Sequence, residues 1–183
     1  MELIKSNQNI KIIKTLLIIV LGSILLTISA KIKIPFYPVP MTMQTFVVLL
    51  LGMTFGYKIG LATVSLYLFE GIIGLPVFSN SPERGVGLVY FTGPTMGYLI
   101  GFLFATFFAG YFNFKKNFFI TLLKLIFSVS TIYIFGMLWL GSLIGWDKPI
   151  FELGAIPFLP AELFKILLLA ILSKWLINFK KSI

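Results

Sequence analysis

The chain has 183 residues, 58% hydrophobic and 11% charged, with mean hydropathy +1.02 and a formal charge of +9 from 15 Lys and Arg against 6 Asp and Glu. A soluble domain averages about 25% charged residues and disorder needs low hydrophobicity, so the composition leaves an integral membrane protein. With no Cys and no His there is no thiol nucleophile, disulfide, usual zinc site or Ser-His pair, and the basic residues form none of the stripes that nucleic acids need.

A bilayer core takes about 20 apolar residues as helix, so the length allows roughly six spans. The first run, 12–30, is ended by Lys31, Lys33 and Pro35; it is too long for a signal peptide, and KIKIP follows it instead of a small-residue cleavage site. The second, 41–55, follows PFYPVP and stops at Gly56-Tyr57-Lys58; the third, 59–73, ends at Gly74-Leu75-Pro76. After a polar stretch at 79–87 comes the fourth, 94–112, closed by Asn113 and Lys115-Lys116. The fifth covers 118–140, and the sixth runs from Pro160 to about Trp175. Runs two and three are short for a full crossing. The expectation is a single all-α domain over 1–183 with six transmembrane helices.

Six spans put both termini on one side, with ten Lys there against Glu2, while the other side balances five bases against five acids. By the positive-inside rule the termini are cytoplasmic. All nine prolines fall in the outer loops or at the helix starts they lead into. A pocket is therefore expected on the outer side, among long stiff loops.

Several residues there stand out. Pro160 suits a first helical turn, which sets Glu162 and Lys165 on one face three residues apart. The helix dipole favours the acid and disfavours the lysine, so Lys165 reads either as part of an anion site or as the partner in a simple ion pair. In the loop SNSPERGVG lies the chain's one arginine, Arg84, next to Gly85, with Asn80 nearby. Arginine suits carboxylate recognition, glycine lets backbone approach a ligand, and the amide can both donate and accept; a solvated loop is the plain alternative. Glu70 falls within the third run with no obvious partner and is given no role. Small residues recur every fourth position at Gly93, Gly97, Gly101, Ala105 and Ala109. Because four residues overshoot a turn, that stripe winds around its helix and favours crossing internal contacts. A weaker version occupies Ser23, Thr27 and Ala30.

IPFYPVPMTMQTF (34–46), GIIGLPVFSN (71–80), RGVGLVYFTGPTMGYLIGF (84–102) and IPFLPAELFK (156–165) closely resemble the BioY family, biotin-binding S components of energy-coupling factor vitamin transporters. The resemblance runs in order over essentially the whole chain. It implies six transmembrane helices in a bacterial cell membrane and one biotin near the outer face beneath the first and third loops. It also implies a transmembrane coupling protein and paired ABC ATPases as partners, with no enzyme activity, cofactor, metal or nucleic acid. Asn80, Arg84 and Gly85 match the family's third-loop binding segment, and Glu162 with Lys165 its D-x-x-K pair, with Ala161-Glu162 standing for Gly-Asp. Met96 replaces a glycine of GPTGG, and Ser23 and Thr27 stand where the family docks its coupling protein through small residues.

In that light Glu162 accepts from a ureido N–H, Lys165 donates to the ureido oxygen or the carboxylate, and Arg84 clamps the carboxylate. Phe36, Val39, Phe78 and Tyr90 cover the apolar ring, with Gln44 also in the lining. The alternatives are an S component for another vitamin, or a structural membrane subunit without a small-molecule ligand. An intramembrane hydrolase is disfavoured by zero His and a lone Asp147.

Overall fold

The computed structural model describes the backbone of residues 2–35, 37–114 and 117–182, and side chains over 9–35, 37–114 and 117–176. Phe36, Lys115 and Lys116 lie outside the described residues, as do the side chains of Glu2, Lys5, Lys180 and Lys181. Helix α1 (Glu2–Lys31) leads into a small antiparallel pair, β1 (Lys33–Ile34) and β2 (Met41–Thr42). Then come α2 (Gln44–Ile72), a 3-10 turn (Gly87–Thr92), α3 (Met96–Tyr111), α4 (Phe118–Ile144), the short α5 (Ile150–Gly154), a second 3-10 turn (Ile156–Phe158) and α6 (Leu159–Ser182).

Helix α2 is two helical arms joined at Gly56 and folded back on one another. Gly56 has φ 80° and ψ 171°, a backbone open to glycine and strained for other residues. Across the reversal the Gln44 amide donates to the Tyr67 hydroxyl at 2.6 Å, whereas a straight helix would hold residues so spaced about 34 Å apart. A Cβ on Gly60 would stand 3.3 Å from the Gly52 Cα. The two arms, 44–55 and 57–72, are the second and third apolar runs of the sequence. Among the described residues, four stretches can cross a membrane by length and composition, Asn9–Lys31, Gln44–Ile72, Phe118–Ile144 and Ile150–Leu176, with Met96–Tyr111 shorter. That count falls below the expected six runs because the folded α2 counts once and α3 has only 16 residues.

Lipid tails are as apolar as leucine, so helices associate in a bilayer through close packing. The glycines supply it. On α3 the first half of the small-residue stripe meets α4: a Cβ on Gly97 would fall 2.3 Å from the Phe135 carbonyl oxygen, and one on Gly101 2.5 Å from the Ile132 Cα. The second half meets α2, where a Cβ on Gly52 would fall 3.0 Å from the Ala109 Cβ; beside the stripe, one on Gly110 would fall 2.2 Å from the Tyr57 nitrogen. The stripe thus winds from one neighbour to the other, as its four-residue spacing predicts. On α1, Gly22 faces Thr63, and Ser23, Leu26 and Ala30 are fully buried, while Leu21 and Ile28 remain exposed on the opposite face and Ile12 and Leu16 are exposed further toward the N-terminus.

Candidate functional site

A cavity opens at the end of the bundle where α1 and α2 finish and α6 begins. With its mouth and the solvent space in front of it, it spans about 570 Å³ free of protein atoms. β2 and the start of α2 form one wall, the segment around Phe78 and Tyr90 a second, and α3, α4 and the start of α6 the rest.

The first turn of α6 carries the charge. Pro160 has no N–H to lose there, and Glu162 and Lys165 follow on one face. Their ion pair, Nζ to Oε2 at 3.2 Å, leaves the side chains only 4% and 5% exposed. Burial on that scale takes two charges out of water, a cost that hydrogen bonds must offset. The Lys165 ammonium has three donors and three acceptors: the Thr42 carbonyl at 2.8 Å, the Thr45 hydroxyl at 2.8 Å and Glu162. Glu162 Oε2 also accepts from the Thr45 and Tyr133 hydroxyls, each at 3.0 Å. The other carboxylate oxygen, Oε1, is buried and has no hydrogen-bond partner among the described residues. An ionised carboxylate offers about four lone-pair positions, so this cavity-lining group holds a free acceptor while its lysine has none to give.

The aromatic wall is built from α2 outward. Phe78 stacks on Tyr90 with centroids 4.6 Å apart and meets Tyr67 edge-on at 5.3 Å. Gly71 makes room for it, since a Cβ there would fall 2.0 Å from the Phe78 Cζ. Gln44 is held by Tyr67, whose hydroxyl donates to the Val77 carbonyl at 3.1 Å, and Ser79 and Tyr90 share a 3.3 Å hydroxyl contact. The cavity therefore combines an aromatic wall around Phe78 and Tyr90 with a charged wall at Glu162 and Lys165.

Cations staple the covering loops. Lys31 donates to the Phe78 and Ser81 carbonyls, both at 2.8 Å, and Lys33 to the Ser79 carbonyl at 2.7 Å and Asn80 Oδ1 at 3.2 Å. From the other direction Arg84 Nη1 donates to the Pro38 carbonyl at 2.8 Å.

Six of the residues singled out from sequence thus line one cavity: Val39, Gln44, Phe78, Tyr90, Glu162 and Lys165. Asn80, Arg84 and Gly85 sit on the covering loop outside the lining, Arg84 exposed and bonded to the first loop. Glu70 does have a partner, the Ser23 hydroxyl of α1; Ser23 is fully buried, and Thr27, half-buried, donates to the Ser23 carbonyl. Sequence reasoning missed Thr45 and Tyr133, although a tyrosine hydroxyl inside an apolar span is a signal, because it needs a partner there. It also took Lys31 and Lys33 only as span-ending charges.

A family model described as the BioY family matches residues 4–181. The chain is similar to the "Probable biotin transporter BioY" of Pyrococcus horikoshii, 36% identical over 77% of this chain and 82% of that protein. It is 34% identical to the "Biotin transporter BioY" of Thermotoga maritima over 81% of this chain and 87% of the relative. Among solved structures it resembles the S-component for biotin from an ECF-type ABC transporter, with TM-score 0.78 and 27% identity, covering 93% of this chain and 94% of that one.

Proposed function

The chain belongs to the BioY family, and from that membership we propose that it is the biotin-binding membrane subunit of an energy-coupling-factor vitamin transporter. It is a transport component of the cell membrane and not an enzyme; ATP hydrolysis belongs to the partner ATPases, which work with a transmembrane coupling protein. The observation that carries the ligand assignment is the buried, unpartnered Oε1 of Glu162 in a cavity with an aromatic wall. Biotin matches that pattern: its ureido ring offers N–H donors to Glu162, and its thioether ring is apolar enough to lie against Phe78 and Tyr90.

Lys165 reaches the ureido oxygen or the carboxylate by exchanging one of its three contacts. Arg84 takes the carboxylate at the rim, with Asn80 and Gly85 beside it, and Val39 adds to the apolar cover. The proposed topology has six crossings, α1, the two arms of α2, α3, α4 and α6, within one domain and with both termini cytoplasmic. The reversal at Gly56 and the charge asymmetry of the sequence support it. Docking on the coupling protein is proposed for α1, where Thr27 stays partly exposed in front of buried Ser23.

Calorimetric titration of the detergent-purified protein with biotin tests the function. Saturable binding tighter than about 1 μM is expected, equivalent to about −8 kcal/mol; weaker binding would remove the biotin assignment. An Arg84→Ala variant should lose affinity for biotin but not for its methyl ester. Equal losses for both ligands would contradict the carboxylate role of Arg84.

A further inference from the structure

The geometry points to Tyr133 as a positioning residue that sets the ligand selectivity of the cavity by fixing the rotation of the Glu162 carboxylate. This inference rests on the biotin reading of the site. Glu162 Oε2 collects donors from three helices: Thr45 on α2, Lys165 on α6 and Tyr133 on α4. Lys165 and Thr45 are themselves bonded to one another, so those two contacts move together. The Tyr133 hydroxyl, at 3.0 Å, is an independent contact and comes from a separate element. The terminal torsion of glutamate is broad and roughly two-fold. Donors converging on one oxygen from two directions hold that torsion and leave the other oxygen, Oε1, as the acceptor in a fixed place.

The Tyr133 ring is set independently of its hydroxyl. It packs edge-on to Tyr98 with centroids 6.3 Å apart, and Tyr98 is anchored by donating to the Gly154 carbonyl at 2.7 Å. Phenylalanine at 133 therefore keeps the ring contact and removes only the donor. With Oε1 fixed, the site demands an N–H at one position on the ligand, and a methyl group on that nitrogen both removes the donor and collides with the oxygen. With the carboxylate free to turn, that demand relaxes.

The test is equilibrium binding of biotin and of its two ring-N-methylated isomers to purified wild-type protein and to Tyr133→Phe, with thermal melting of both proteins as a check on folding. Wild type should prefer biotin over at least one methylated isomer by about 100-fold or more, the scale of a lost buried hydrogen bond to a charged group. In Tyr133→Phe the biotin affinity should fall about tenfold and the preference should shrink by a similar factor. An equal loss for all three ligands, as general loosening of the fold or a direct ligand contact from Tyr133 would give, overturns the inference, as does wild-type behaviour. Absence of biotin binding by the wild type would instead remove the underlying assignment.

Discussion

Glu162 and Lys165 sit 3% and 4% exposed at the mouth of a membrane helix, and the consequences of changing either follow from what would be left behind. Removing one partner of a buried ion pair strands the other charge, which typically costs about 3–5 kcal/mol, whereas removing both can be far milder. Lys165→Met should therefore still insert but unfold at lower temperature and lose biotin uptake. Glu162→Gln combined with Lys165→Met should be destabilised by less than the sum of the two single changes, with a coupling of about 1 kcal/mol or more. Strict additivity in thermal unfolding would show that the two charges do not act as a pair. The pair itself was legible in sequence, from Pro160 and the three-residue spacing. Its hydroxyl partners were not, because Thr45 and Tyr133 lie 117 and 29 residues away from Glu162 and meet it only through tertiary packing.

Among the elements, contact between helices depends on glycine. The chain places Gly101 against the backbone of α4 and Gly110 against the reversal of α2. Neither backbone can yield as a flexible side chain would. Gly101→Leu or Gly110→Leu should each cost about 1–3 kcal/mol, as overpacking generally does, and for a chain of this size lower the melting temperature in detergent by several degrees. Unchanged melting would mean that these helices do not pack as closely as described. The stripe on α3 was readable because a four-residue repeat must wind around a 3.6-residue helix. The break at Gly56 was readable too, from Gly-Tyr-Lys between two apolar runs. What escaped the sequence was the tightness of that turn, one residue long, which needs Gly52, Gly60 and Gly110 brought together from separate turns and helices.

For the whole molecule, the cavity is covered by two loops that cations hold to each other through backbone carbonyls. Such acceptors have no residue signature, which is why Lys31 and Lys33 read in sequence as span-ending charges. The combined change Lys31→Met and Lys33→Met removes three of these hydrogen bonds and a fourth to Asn80 Oδ1. It should raise the biotin dissociation rate by about tenfold or more, since interface changes act mainly on dissociation, and speed amide exchange over 78–85. An unchanged dissociation rate would mean that the staples do not retain the ligand. Lys31 and Lys33, which close the first apolar run of the sequence, are thus part of the cover over the site. The most direct measurement is a structure of the protein with biotin bound. A ureido nitrogen should lie about 2.7–3.2 Å from Glu162 Oε1, with the thioether ring against Phe78 and Tyr90. A ureido group turned away from Glu162, or biotin lodged outside this cavity, would contradict the assignment.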